Sequence, residues 1–191
     1  HANIDIKGEN GTTPLHVAAS WGQDDIVATL LEAGAQVDVY CQEGATPLTS
    51  ACLWQHINIG SMLTHAGADL NLPGTDSSPA ILIAAEKGNL SIVSDLIQAG
   101  ANVNLTDSLG WTPLMVATKH GQIKIVTELL QAGADIYQTK SDRISALSMA
   151  MEQQYFSAVN QMLYYRHSYI HIMAKIDREG LKYRVEPYHE D

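Results

Sequence analysis

Apolar residues in this chain fall into short stripes with a helical period. Ile26, Val27, Leu30 and Leu31 stand at i, i+1, i+4 and i+5, which lines one face of a helix and leaves the rest polar. The same stripe returns as Ile92, Val93, Leu96 and Ile97, and again as Ile125, Val126, Leu129 and Leu130. A shorter helix precedes the first stripe, through Leu15, Ala18 and Ala19, whose small residues allow close packing. Thr13-Pro14 opens it: Thr caps a helix, and Pro is tolerated in the first turn because its missing N–H would be unpaired anyway. Gly22 closes this helix and Gly34 the next one, after which Val37-Asp38 is extended and polar residues turn the chain. The longest apolar run, around Ala80–Ala85, is far below the roughly 18–20 residues of a membrane helix.

These elements recur at a fixed interval. Thr13-Pro14-Leu15-His16-Val17-Ala18-Ala19 returns after 33 residues as Thr46-Pro47-Leu48-Thr49-Ser50-Ala51-Cys52, and after twice that interval as Thr112-Pro113-Leu114-Met115-Val116-Ala117-Thr118. Pro79–Ala85 and Ser145–Met151 hold the same frame with weaker matches. Gly34-Ala35, Gly67-Ala68, Gly100-Ala101 and Gly133-Ala134 form a second marker with the same step. One helix pair cannot bury its own apolar face, so such units stack into a solenoid.

The chain resembles the ankyrin repeat family, whose signature is a Thr-Pro-Leu-His-x-Ala-Ala block recurring at about 33 residues. The resemblance covers about five repeats, residues 10 to 167. It implies an all-α repeat fold: an ankyrin solenoid of helix–turn–helix units joined by β-hairpin-like loops, with a helical C-terminal cap. The expected divisions are 1–9, the end of a truncated preceding repeat; 10–42; an irregular 43–75; 76–108; 109–141; a degenerate 142–167; and 168–191, a capping helix and polar tail.

Several units depart from the pattern. Ala2–Asp5 align with Ala35–Asp38, so the chain is expected to be a piece of a longer protein. In the second unit Gln55 replaces a helix-ending Gly, while Gly60 and Thr64 interrupt the apolar stripe. A helical Gly costs roughly 0.5–1 kcal/mol against Ala, so this unit is expected to be the softest. In the third, the proline moves to Pro79, which should reshape the hairpin at Asp76–Ser78. In the fifth, Ala146 replaces Pro, and Phe156–Ile176 stays helix-compatible.

Composition narrows the function. Net charge is −10, and residues 1–100 carry eleven acidic residues against Lys7 and Lys87, a local −9. Such a surface disfavours unaided nucleic-acid binding, which needs clustered Lys and Arg. Cys41 and Cys52 provide no disulfide framework, which fits a reducing compartment, the cytoplasm or alternatively the nucleus. Cys52 takes a small-residue position and reads as a buried structural thiol. His167 and His171 share a helical spacing, but Ser168 stands where a zinc protease needs Glu as general base. No nucleophile–base pair, metal set or phosphate loop is legible; neither catalysis nor a cofactor is expected.

The resemblance implies that the hairpin tips and the open side of each first helix line a concave groove facing the partner. The 33-residue step places Trp21, Trp54, Lys87, His120 and Gln153 in one row, and Ser20, Leu53, Glu86, Lys119 and Glu152 beside it. The hairpin row is Thr12, Ala45, Ser78, Trp111 and Ile144, with Leu109 before Trp111. All three tryptophans thus map where framework packing does not demand them. Trp21 and Trp54 occupy adjacent rungs, spaced by about 10 Å on ordinary helix packing. They form either an apolar anchor or a scaffold contact with each other and adjacent hairpins. Glu9, Glu43, Asp76 and Glu86 surround the row, making it acidic. That charge either keeps the surface solvated or steers a partner bearing Lys or Arg.

Asn71 stands eight residues after Leu63, with Asp69-Leu70 between, and Asn104 follows Leu96 likewise with Asn102 where acid is preferred. The spacing is similar to that recognised by asparaginyl hydroxylases in ankyrin repeats; the structural alternative is a turn asparagine. The expected function is a protein-binding scaffold or adaptor, monomeric by itself, taking a protein or peptide with basic and apolar residues. The alternatives are a substrate-recruiting domain of a larger enzyme, such as a ubiquitin ligase or kinase, and a self-association module.

Overall fold

The structure, a computed structural model, describes residues 3–166. Nine α-helices lie complete within them: α1 (Pro14–Ser20), α2 (Asp24–Glu32), α3 (Pro47–Leu53), α4 (Ile57–His65), α5 (Ala80–Glu86), α6 (Leu90–Gln98), α7 (Pro113–Lys119), α8 (Ile123–Gln131) and α9 (Ala146–Glu152). Residues 156–166 are helical up to the last described position. Through α9, each first helix has seven residues and each second helix nine. The capping segment expected at 168–191, with His167 and His171, lies outside the described residues.

Caps set the helix starts. Thr46 Oγ1 accepts the Thr49 N–H at 3.2 Å, Thr112 Oγ1 that of Met115 at 3.1 Å, and Ser145 Oγ that of Ser148 at 3.1 Å. Each satisfies one otherwise unpaired donor of a helix start. In the first unit His16 closes the box instead: Thr13 N–H donates to its Nδ1 at 3.2 Å. The opposite ring nitrogen, Nε2, donates to Ala45 O at 3.2 Å, so this buried imidazole ties one unit to the hairpin of the next.

First helices stack on first helices, α1 through α9, and second helices on second, α2 through α8. The core runs between the layers. Leu15, Leu48, Ile81 and Leu114 repeat on one side, and Leu63, Leu96, Leu129 and Met162 on the other, all buried. Burying one such side chain stabilises by about 1.5–3 kcal/mol, so stability accrues unit by unit across the interfaces.

The connecting hairpins are pinned by backbone bonds one period apart: Cys41 N–H to Ala45 O at 3.0 Å, Gly74 to Ser78 at 2.9 Å, Asp107 to Trp111 at 3.2 Å and Lys140 to Ile144 at 3.1 Å. In the third unit the hairpin contains a 3-10 turn, Thr75–Ser77, with Asp76 and Ser77 at φ 55° and 60°. Pro79 itself serves as N-cap of α5. Gln55 and Gln154 take the left-handed turn that Gly22, Gly88 and Gly121 take in the other units, at φ 62° and 58°, a region costly for a side-chain-bearing residue.

Candidate functional site

The residue after each first helix is the same structural position in all five units. Trp21, Trp54, Lys87, His120 and Gln153 are the C-caps of α1, α3, α5, α7 and α9, and all are exposed. The cap geometry uses only their backbone: Trp21 N–H donates to Val17 O at 3.0 Å and Trp54 N–H to Ser50 O at 3.1 Å. The indole rings are therefore not required by the helix ends. Trp21 is 75% exposed and Trp54 60%. Among the described residues the aromatic ring pair is Tyr164–Tyr165, so the two indoles are not stacked on each other.

The adjacent row is also open. Leu53, Glu86, Lys119 and Glu152 are exposed and Ser20 is half-buried. Glu9, Glu43 and Asp76 are exposed, and among the described residues the ion pair is Lys140–Asp142, so these acids make no salt bridge there. Leu109 is exposed at its hairpin tip.

The hairpin row differs from the expectation of free contact positions. Thr12, Ala45, Ser78, Trp111 and Ile144 are all half-buried. Trp111 and Ile144 pack against the core. Lys119 Nζ and Lys140 Nζ lie 4.8 and 5.0 Å from the Trp111 ring centroid. Ammonium groups over an indole face contribute roughly 0.5–1 kcal/mol each at exposed sites. Trp111 thus carries structural contacts that Trp21 and Trp54 lack, and the pairing with Lys140 joins hairpins of adjacent units. Residues 111, 119 and 140 share no short spacing, which left this contact out of the sequence reading.

Asn71 and Asn104 belong to a ladder that the sequence reading also missed. Asp5, Asp38, Asn71 and Asn104, one period apart, each present Oδ1 to the backbone N–H 31 residues on, that of Gln36, Asp69, Asn102 and Asp135, at 2.8–3.0 Å. Asn71 is exposed; Asn104 is half-buried and also donates Nδ2 to Gly133 O at 3.3 Å. The signal was available as Asp or Asn at every 33rd residue from 5 to 104.

The remaining groups offer little chemistry. Cys52 is buried, which pushes its thiol up to about 12 and makes the reactive thiolate scarce. Among the described residues no three His, Cys, Asp or Glu side chains converge as a metal set, and no helix is long and apolar enough to cross a membrane.

Helix pairs stacked in two layers define a helical repeat solenoid. The family model for ankyrin repeats (3 copies) matches residues 1–73 and 76–176, and the chain belongs to the ankyrin repeat family. Ankyrin repeats are protein–protein interaction modules. No curated protein matches the chain significantly.

Proposed function

We propose that this chain is a docking scaffold whose first-helix edge, centred on Trp21 and Trp54, takes a protein or peptide carrying apolar and basic residues. The observation that carries the reading is the pair of indoles at identical, exposed helix-end positions in adjacent units, where neither the cap nor ring stacking uses them. Aromatics that become buried at a partner surface commonly dominate binding, at roughly 2 kcal/mol or more each. Leu53 extends the apolar strip beside Trp54.

Charge supplies the second half of the recognition. Glu9, Glu43, Asp76 and Glu86 lie along the same edge without an ion partner among the described residues. An acidic rim raises the encounter rate of a cationic partner and repels an anionic one, whereas the indoles hold what arrives. Phosphate backbones are disfavoured for the same reason.

A panel of immobilised peptides tests this directly. One set interleaves Lys or Arg with Leu, Ile or Phe; the second replaces each basic residue by Glu. Capture of the basic-apolar set, with association that slows as salt is added, is the expected result. Equal capture of both sets, or association indifferent to salt, would contradict the assignment.

A further inference from the structure

The edge that carries Trp21 and Trp54 changes sign along its length. Glu86, at the end of α5, is followed one period on by Lys119, at the end of α7. Asp107, in the fourth unit's hairpin, is followed by Lys140 in the fifth unit's. Lys119 Nζ and Lys140 Nζ lie 4.8 and 5.0 Å from the Trp111 ring centroid, so two ammonium groups share one indole. Lys87, the C-cap of α5, adds a cation in the row between Trp54 and His120.

The acids nearest this cluster are engaged. Asp142 pairs with Lys140, and Asp107 Oδ1 accepts the backbone N–H groups of Leu109 and Trp111 at 2.9 and 2.8 Å. Lys87, Lys119 and Arg143 are exposed and make no salt bridge among the described residues. Glu86 and Glu152 stand one unit to either side of Lys119, which confines the cationic stretch to the Trp111 region. Arg143 stands at φ 63°, in the hairpin position held elsewhere by Gly11, Gly44, Ser77 and Gly110. That backbone is costly for a residue with a side chain, and Gly would remove the cost. Arg143 N–H donates to Lys140 O at 2.9 Å, which ties the arginine to the residue whose ammonium lies over Trp111.

We infer that Lys119, Lys140 and Arg143, gathered around Trp111, receive an acidic stretch of the same partner whose apolar and basic residues dock at Trp21 and Trp54. The inference rests on that docking reading and deepens it, because the partner segment is then bipolar. The ends of α3 and α7 are two stacking steps apart, roughly 20 Å at ordinary helix spacing, which an extended chain covers in about six residues. Opposite signs at the two ends penalise a uniformly basic partner at Lys119 and a uniformly acidic one at Glu43.

Titration of three peptides at physiological salt tests this: a basic-apolar block alone, the block with a Glu pair about six residues away, and the block with a Lys pair there. The pair is placed on either side of the block in turn. A net charge of −10 favours the Lys peptide if charge acts diffusely, so the opposite order reports the local cluster. In one placement the Glu peptide should bind about three- to tenfold tighter than the block alone, and tighter than the Lys peptide. Lys119→Gln/Arg143→Gly should erase that gain and leave affinity for the block unchanged. Arg143→Gly alone, which relieves the backbone, should keep the thermal midpoint at least as high as the wild type's and lose part of the gain. Trp21→Ala/Trp54→Ala should weaken binding of every peptide. Block binding without preference for Glu, or a Glu preference that survives in Lys119→Gln/Arg143→Gly, overturns this inference and leaves the Trp21–Trp54 edge standing. A block that does not bind at all refutes that edge, and this inference falls with it.

Discussion

Asn71 Oδ1 accepts the backbone N–H of Asn102 at 2.8 Å, 31 residues on and one unit away. The bond joins neighbouring closing loops where no sheet ladder links them. Asp5 and Asp38 make the same contact with a carboxylate oxygen. Only the acceptor matters, so Asn71→Asp should be close to neutral, whereas Asn71→Ala should cost about 1 kcal/mol by leaving a donor without its partner. Urea unfolding of the two variants measures the difference. An Ala variant as stable as the wild type would show that the bond contributes nothing.

Asn71 and Asn104 differ in how firmly they are held, and this bears on hydroxylation. Asn71 is exposed, whereas Asn104 is half-buried with its Nδ2 also engaged by Gly133 O. Incubation with an asparaginyl hydroxylase should therefore add one oxygen to the peptide containing Asn71 and leave Asn104 unmodified. Mass spectrometry of the digest reads this out. Modification of Asn104 with Asn71 intact would contradict the proposal.

Two buried glycines should respond oppositely to alanine. At Gly60, inside α4, a Cβ makes ordinary contact with Ile92, so Gly60→Ala should stabilise by about 0.5–1 kcal/mol through helix propensity. At Gly74 a Cβ would lie 2.9 Å from Thr49 Cβ and 3.0 Å from Ser78 O, so Gly74→Ala should destabilise. Denaturant midpoints of both variants check the signs. A destabilised Gly60→Ala would mean that the second unit's irregular stripe is a packing requirement rather than a weakness.

His16 makes stability depend on pH. Burial lowers its pKa, more than the bond to Ala45 O raises it. The unfolded chain, with an ordinary imidazole near about 6.5, then takes up the proton more readily than the folded one. The contribution of neutral His16 is thus full above about pH 6.5 and is lost as pH falls from there towards the lower folded value. The wild type should lose more stability than His16→Gln between about pH 7.5 and pH 5. Parallel stability curves would remove His16 from the account.

The period made most of this architecture legible, because each unit writes its own caps and stripes. Thr46, Thr112 and Ser145 cap where Thr and Ser stand in sequence, and the buried positions follow Leu15 and Leu63 in steps of one unit. What escaped was set between units. The Asn71–Asn102 bond and the lysines over Trp111 depend on how far one hairpin lies from the next, which spacing alone does not give. Trp111 looked equivalent to Trp21 and Trp54 because all three fall at variable positions; only packing separates a ring held by the core from two left open. Ile26 reads as an ordinary core residue for the converse reason. Its stripe is that of a buried face, and Ile26 is half exposed whereas Ile59, Ile92 and Ile125, at the same position, are buried.

The docking claim rests on Trp21 and Trp54, and their joint replacement by alanine tests it most directly. The rings leave the cap bonds untouched, so helical content by circular dichroism should be unchanged. Titration of a basic-apolar peptide from the capture panel should then show affinity reduced at least about tenfold, or roughly 1.4 kcal/mol. Unchanged affinity in a fully folded double variant would contradict the assignment of this edge as the partner-binding surface.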